Sequence, residues 1–180
     1  TGSAQYIWSA YPSGSSTLTL LQMWIDYSTD SIKFVLWQDA VQQWRWHGTD
    51  NWIDDKRNAW GHVALVQDGV SPKVYWNGID ITSTGGSFVG TTDLTEWLKA
   101  VYTDASSDAD NFNLGSRYYS SAAYGFFAGG IDSPTIFTTA PSSNDVYELA
   151  TNGIMPTNTP VLRMPFNSES YKFKDKSPNA

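Results

Sequence analysis

The chain has 180 residues, of which 41% are hydrophobic, 15% aromatic and 16% charged, and it has no cysteine. This length and apolar content suffice for one domain with a real hydrophobic core, and they exclude an intrinsically disordered chain. Eleven basic against eighteen acidic residues leave a net charge of −7, which opposes binding to nucleic acid and to anionic membranes.

No apolar run reaches the length of about 20 residues that a membrane-spanning helix needs, so we expect a soluble protein without membrane insertion. The chain begins with Thr1, and its first basic residue is Lys33. These features predict a processed product or a segment of a longer protein. The absence of cysteine is compatible with an extracellular bacterial or viral protein.

Short segments with alternating apolar and polar residues follow one another along the chain, separated by turn residues, and this is typical of β-strands. The predicted strands are Tyr6–Tyr11, Thr17–Tyr27, Ser31–Asp39, Val41–His47, Trp60–Asp68, Lys73–Trp76, Asn113–Arg117, Gly130–Thr138 and Val161–Phe166. Their number and spacing predict a two-sheet sandwich.

Two of these strands differ in their apolar pattern. The strand 31–39 has Ile32 and Phe34 on one face and Lys33 on the other, which predicts one face in the core and one in water. The strand 60–68 has apolar residues on both faces, which predicts a central, covered strand.

Turn and capping signals complete the secondary structure. Asn77 and Gly78 stand between two strand-like segments and predict a tight hairpin, because both residues tolerate positive φ. Capping patterns predict one short helix at about Thr92–Tyr102 and another at about Ser143–Thr151 with Ser142 as its N-cap.

Three segments occur in an order that is characteristic of a known family. They are WGHVALVQDG with KVYWNG at residues 60–78, NLG at 113–115, and FAGGID at 127–132 continuing to the predicted helix after 141–142. Together they resemble the LamG-like jelly roll of the concanavalin A-like lectin and glucanase superfamily, over roughly residues 17–151. The resemblance implies an all-β, two-sheet antiparallel jelly-roll sandwich with one or two short helices, in a family of mostly binding and adhesion modules.

The chain departs from this family at its two ends. The family's opening strand is missing from the N-terminus, and a similar stretch stands at 161–166, followed by a polar segment at 175–179. We therefore divide the chain into a LamG-like domain at 1–152 and a region at 153–180. This second region is a linker plus a strand that either completes the sandwich or begins a following module.

Catalysis is the least favoured function. A glycosidase needs two positioned carboxylates, yet glutamate occurs only at Glu96, Glu148 and Glu169, without the family's strand motif of two glutamates flanking an aspartate. No nucleophile elbow is present. A polysaccharide lyase could use His47 together with Arg45 and Tyr119, but its usual strand motifs are absent. We therefore predict that the protein is not an enzyme.

Calcium binding is implied by the family resemblance. Members often hold Ca²⁺ between the aspartate of the FAGGID-like segment and the polar loop after the opening strand. Asp132 matches the first, and Asp175 and Asn179 loosely match the second. The alternative is that Asp132 caps a strand end and Asp175 is a solvated tail residue.

Aromatic residues beside hydrogen-bonding side chains suggest carbohydrate binding, because sugars present C–H faces to rings and hydroxyls to polar groups. The first such set is Trp44, Trp46, Asp50, Asn51 and Trp52, and the second is Tyr118, Tyr119 and Tyr124. Trp52 is expected to be exposed. Trp44 and Trp46 share one strand face, and the alternative is that both fill the core.

These observations predict a non-catalytic recognition or adhesion module that binds a carbohydrate or another ligand, in an extracellular or virion surface protein. Its partners would then be a glycan or cell-surface ligand, with Ca²⁺ as a possible cofactor. The alternative is a structural or decoration module of a viral or filament assembly, in which the aromatic residues contact neighbouring copies.

Overall fold

The structure is a computed structural model that describes residues 4–11, 20–38, 40–97, 111–119, 122–157 and 160–164. Within these ranges the protein is all-β with one α-helix, as predicted. In chain order the strands are β1 (Gln5–Tyr11), β2 (Leu20–Asp26), β3 (Ser31–Gln38), β4 (Val41–Gly48), β5 (Val63–Gln67), β6 (Pro72–Trp76), β7 (Ile79–Asp80), β8 (Gly86–Phe88), β9 (Asn111–Leu114), β10 (Arg117–Tyr119), β11 (Ala122–Tyr124), β12 (Thr135–Phe137) and β13 (Pro160–Arg163), and the helix is α1 (Ser143–Asn152).

Two antiparallel sheets form the sandwich. The larger sheet has the strand order β8-β4-β3-β2-β1-β9, and the smaller has the order β5-β6-β7. The hairpin between β6 and β7 turns at Asn77 and Gly78, whose φ angles of 49° and 82° match the predicted tight turn. Every predicted strand overlaps an observed one, whereas β8 and β11, each three residues long, were not predicted.

The main core lies between the two sheets. Its fully buried members come from the larger sheet and from β6: Ala10, Leu21, Met23, Ile32, Phe34, Leu36, Trp44, Trp46 and Val74. Val63 and Leu65 of β5 pack against this core, and Val66 packs into a second cluster behind the small sheet. The covering of both β5 faces was predicted, but β5 lies at the edge of its sheet rather than at its centre.

Helix α1 covers the other side of the small sheet. Val146 is buried against Tyr75, whose hydroxyl lies 2.9 Å from the Ser143 hydroxyl. The helix begins with the predicted Ser142 cap: the Ser142 hydroxyl accepts a hydrogen bond from the Asp145 backbone N–H, and the Asp145 carboxylate accepts one from the Ser142 backbone N–H. The order of layers is therefore helix, small sheet, large sheet.

The helix predicted at 92–102 is wrong over its described part, residues 92–97, where no helix forms. The Asp93 carboxylate accepts hydrogen bonds of 2.7 Å from both the backbone N–H and the hydroxyl of Thr95. Such a local side-chain turn competes with helical hydrogen bonds. Residues 98–102 lie outside the described ranges.

The strand predicted near the C-terminus corresponds to β13, which pairs with an earlier strand of the chain. β13 lies antiparallel to β12, with Ile136 opposite Leu162. The division into residues 1–152 and 153–180 stays a prediction. In the described part of the chain no helix is long and apolar enough to cross a membrane.

Candidate functional site

Trp44 and Trp46 lie in the core, as the alternative interpretation held. They are therefore not exposed rings on which a ligand could stack. Both side chains are 0% exposed. The Trp44 Nε1 atom donates to the Glu96 carbonyl at 3.0 Å, and the Trp46 Nε1 atom donates to the Thr82 carbonyl at 2.8 Å. Their rings and N–H groups are fully used inside the protein, which corrects their assignment as ligand-binding residues.

Asp50, Asn51 and Trp52 lie in the turn after β4. Asp50 and Asn51 are exposed, but Trp52 is partly buried and not the exposed platform that we expected. Its ring meets Trp76 edge to face with centroids 5.0 Å apart, and the Lys56 ammonium lies 4.4 Å from its centroid. Trp52 therefore serves mainly to pack the turn onto the small sheet.

The predicted tyrosines lie in a hairpin. Tyr118 and Tyr119 belong to β10, and Tyr124 belongs to β11. The prediction for the side chains of Tyr118 and Tyr119 lies outside the described residues. Tyr124 is 37% exposed, and its ring meets Tyr6 of β1 edge to face at 6.0 Å.

Of the three residues predicted to bind calcium, one lies within the described residues. Asp132 is exposed and accepts a hydrogen bond of 3.2 Å from the Ser133 hydroxyl, while Asp175 and Asn179 lie outside the described residues. No group of three or more His, Cys, Asp or Glu side chains that could hold a metal occurs in the described ranges. The calcium site therefore stays a prediction.

The larger sheet has a second face, opposite the core, which we call the outer face. A row of side chains crosses five strands on it, and the strand register places them side by side in the order Arg45, Val35, Gln22, Ser9 and Asn113. We call these five residues the polar row. At a strand spacing of about 4.8 Å the row is about 19 Å long, which exceeds a single sugar ring.

The polar row contains hydrogen-bonding atoms that the protein leaves unused. Gln22 is only 3% exposed, yet its Nε2 atom has no hydrogen-bond partner among the described residues. The Nε atom of Arg45 and the Nδ2 atom of Asn113 are also buried and unpartnered within the described ranges. A buried polar atom without a partner costs about 1–3 kcal/mol, so these three nitrogens are the feature of the outer face that packing within the described residues does not explain.

Tryptophan rings stand on both sides of the polar row. Trp24 follows Gln22 by two residues on β2, and Trp37 follows Val35 by two residues on β3, so both share the outer face. The two rings are partly buried and pack against a small cluster of Tyr11, Leu20 and Val35 that is separate from the main core. The polar row is therefore flanked by one tryptophan ring on each side.

The hairpin of β10 and β11 closes one end of the outer face. The Arg117 guanidinium donates to the Tyr6 hydroxyl at 3.2 Å and lies 5.5 to 5.6 Å from the ring centroids of Tyr6, Tyr11 and Tyr124. Tyr6 also lies 6.1 Å from Trp24, centroid to centroid. Tyr124, a residue of the predicted tyrosine loop, is thus brought to the end of the polar row.

Ionisable side chains lie next to the polar row. Lys33 stands beside His47 in the register and forms an ion pair of 2.7 Å with Asp26. Burial, followed by the neighbouring charges of Lys33 and Arg45, lowers the pKa of His47 to about 4. His47 is therefore neutral at pH 7, and its buried Nε2 atom has no hydrogen-bond partner in the part of the chain that the structure describes.

The sequence analysis missed this face because it assigned the Lys33 side of β3 to water. In the structure that side is buried: Ser31 is 0%, Lys33 8% and Val35 4% exposed. The signal was present in the alternation of Leu20, Gln22 and Trp24. A glutamine among large apolar residues on one strand face indicates a second packed layer.

Comparisons with known proteins leave the family open. No protein-family profile matches the chain, and no curated protein matches it. A crystal structure of residues 221–444 of an S-layer domain-containing protein from Clostridium thermocellum is similar, with 21% identity and a TM-score of 0.40. The match covers 84% of this chain and 64% of that one, so this chain spans less than two thirds of its length. A TM-score of this size does not establish a shared fold.

Proposed function

We propose that this protein is a non-catalytic recognition module that binds a carbohydrate on its outer face. One observation carries the proposal: Gln22, Arg45 and Asn113 hold side-chain nitrogens without a partner among the described residues, in a row flanked by the Trp24 and Trp37 rings. Sugar hydroxyls accept and donate hydrogen bonds, and sugar C–H faces stack on aromatic rings. The outer face combines both kinds of contact over a length suited to an oligosaccharide.

The charges of the outer face support binding rather than hydrolysis. Among the described side chains of this sheet face, Asp26 is the one carboxylate, and it is bound to Lys33. A glycosidase would need a second carboxylate across the scissile bond. His47 and Arg45, which a lyase could use, do share this face, while the Tyr119 side chain lies outside the described residues. We therefore assay each bound polysaccharide for cleavage products and expect none.

The matched experiment compares two tryptophans that are both partly buried. Trp37 flanks the polar row, whereas Trp52 packs against Trp76 at a distance from it. Glycan-array binding is measured for the wild type, Trp37→Ala and Trp52→Ala, with circular dichroism to verify folding. We expect Trp37→Ala to weaken binding roughly tenfold through lost stacking, and Trp52→Ala to leave it unchanged. Equal losses in both variants would contradict the proposal.

An assembly role is the second candidate, because large apolar side chains are exposed. Trp60 is 74%, Phe126 64% and Ile79 63% exposed. Where exposed apolar side chains form a contiguous patch, the surface is typical of contacts with other proteins. A folded protein that binds no glycan, yet forms oligomers that Trp60→Ser dissociates, would favour this function. For either role we propose an extracellular or virion-surface location.

A further inference from the structure

Two exposed segments form one continuous surface beside the start of β5. Residues 59–61 precede β5, and all three are exposed. Residues 122–130 run from β11 towards β12, and seven of these nine residues are exposed. The two segments meet where the Trp60 ring lies on Gly130, since a Cβ atom built on this glycine would lie 2.7 Å from the Trp60 Cη2 atom. We call residues 59–61 and 122–130 the contact face.

The contact face is apolar and carries no charge. Its large members are Trp60, Phe126 and Tyr124, which are 74%, 64% and 37% exposed, and its other exposed residues are all alanine or glycine. No charged residue occurs in it, although the chain has 11 basic and 18 acidic residues. An exposed, contiguous apolar patch of this kind is typical of a surface that contacts another protein.

The size of the contact face is sufficient for a specific interface. With about 200 Å² for an aromatic side chain, the exposed fractions of the three rings amount to roughly 350 Å² on one copy. Two such faces in contact bury roughly 700 Å² from the rings alone, and the seven exposed alanine and glycine residues bring the total to about the 1,000 Å² that a specific interface needs.

The charge of the protein favours a second copy of the chain as the partner. A basic partner would be attracted to carboxylates, and the contact face offers none. In a contact with two-fold symmetry the same patch of both copies meets, so a charged residue there would be opposed by like charge in a protein that already carries −7. An apolar face without charge avoids this repulsion.

We propose that two copies of the chain associate through the contact face in an isologous dimer, with Trp60 and Phe126 as its main apolar contacts. The dimer gives the assembly role, which is the second candidate function, a defined surface and a defined partner. It is independent of carbohydrate binding, which the Trp37 comparison tests on the outer face.

The test measures molecular mass by sedimentation equilibrium over a range of protein concentrations. The wild type should change from the 20.0 kDa monomer to a dimer as the concentration rises. Trp60→Ser and Phe126→Ser should each raise the dissociation constant of the dimer at least tenfold, because exposed aromatic residues contribute most to such contacts. Circular dichroism and melting temperatures verify that both variants are folded.

Val70→Ser is the matched control. Val70 is 72% exposed, but it lies in the turn at the other end of β5, about 17 Å along the strand from the contact face. Its substitution should leave the dissociation constant unchanged. Salt provides a second control, because screening of the −7 charge should leave the dimer as strong or stronger at about 1 M sodium chloride. Dissociation by salt would indicate ion pairs and overturn the proposal.

The other failures are distinguishable. A wild type that stays monomeric at every concentration would overturn the dimer, and carbohydrate binding would still stand or fall by the Trp37 comparison. A dimer that Trp60→Ser and Phe126→Ser leave intact would overturn this interface and keep an assembly role through another surface. Oligomers that grow beyond the dimer would show a head-to-tail contact, which also overturns the isologous interface. A monomer that loses glycan binding on Trp60→Ser would assign the face to a sugar instead.

Discussion

The Lys33 ammonium donates a hydrogen bond of 2.7 Å to the Asp26 carboxylate on the outer face of the larger sheet. Burial by itself raises the pKa of Asp26, but the hydrogen bonds from Lys33 and Ser28 outweigh it and lower the pKa to about 2. The pair neutralises a lysine that is 8% exposed. It therefore allows a charged residue to lie between Trp24 and His47 in the strand register.

We predict that this pair stabilises the protein at neutral pH and fails in acid. The folded pKa of Asp26 lies below the unfolded value of 3.8, so its contribution is present above pH 4 and is lost as the pH falls towards 2. Asp26→Asn should lower the free energy of unfolding at pH 7, and the difference from wild type should shrink over that range. Urea denaturation of both proteins at a series of pH values measures this difference in the free energy of unfolding. Asp68→Asn, which breaks an exposed pair, should have a smaller effect.

His47 predicts a second pH dependence in a different range. Its folded pKa of about 4 lies below the unfolded value of 6.5, so between these values the unfolded chain binds a proton that the folded protein does not. Stability should therefore fall as the pH drops from 6.5 to 4. His47→Gln should flatten this decline. Since burial also lowers the pKa of His62, His47→Gln/His62→Gln should flatten it further, and an unchanged slope would contradict the assignment.

Because Trp44 is buried, we predict that its substitution lowers the stability of the fold and removes no direct contact with a ligand. Trp44→Phe removes the hydrogen bond to the Glu96 carbonyl and leaves a void beside Trp97, whose ring stacks on it at 6.0 Å. We expect a loss of about 2 kcal/mol in the free energy of unfolding. Trp60→Phe, at a side chain that is 74% exposed, should change it by less than about 0.5 kcal/mol. If both substitutions cost the same, the core assignment of Trp44 is wrong.

The calcium hypothesis predicts a higher melting temperature with saturating Ca²⁺ than with a chelator, because a ligand of the native state stabilises it by mass action. Asp132→Asn should remove the difference. An identical melting temperature in calcium and in chelator would eliminate the hypothesis. Magnesium at the same concentration controls for ionic strength and should have little effect on a site built for the larger cation.

Local patterns predicted the strands well because the two-residue period depends only on neighbours in the sequence. The alternation in 31–38 correctly separated Phe34 from Lys33, and Asn77 with Gly78 correctly predicted the hairpin between β6 and β7. The helix prediction was wrong at residues 92–97, because the same Asp93 that resembles a cap is equally suited to a short turn with Thr95.

The candidate site was harder to predict, since a period of two shows that a strand has two faces without showing what covers each. Trp44 and Trp46 are of a residue type that can stack on sugars, but both side chains are buried in the core. The outer face could not be predicted from neighbouring residues, because it brings together side chains that are far apart in the sequence. Arg117 and Tyr124, for example, both contact Tyr6.

By itself, the sequence determined that this protein is all-β, where most of its strands lie and that it is rich in aromatic residues. Only the tertiary structure decided which aromatic residues are core and which flank the polar row. The physical reason is that strand propensity and alternation are local, whereas the burial of Gln22 and the unpaired state of Arg45 depend on strands brought together by the sheet.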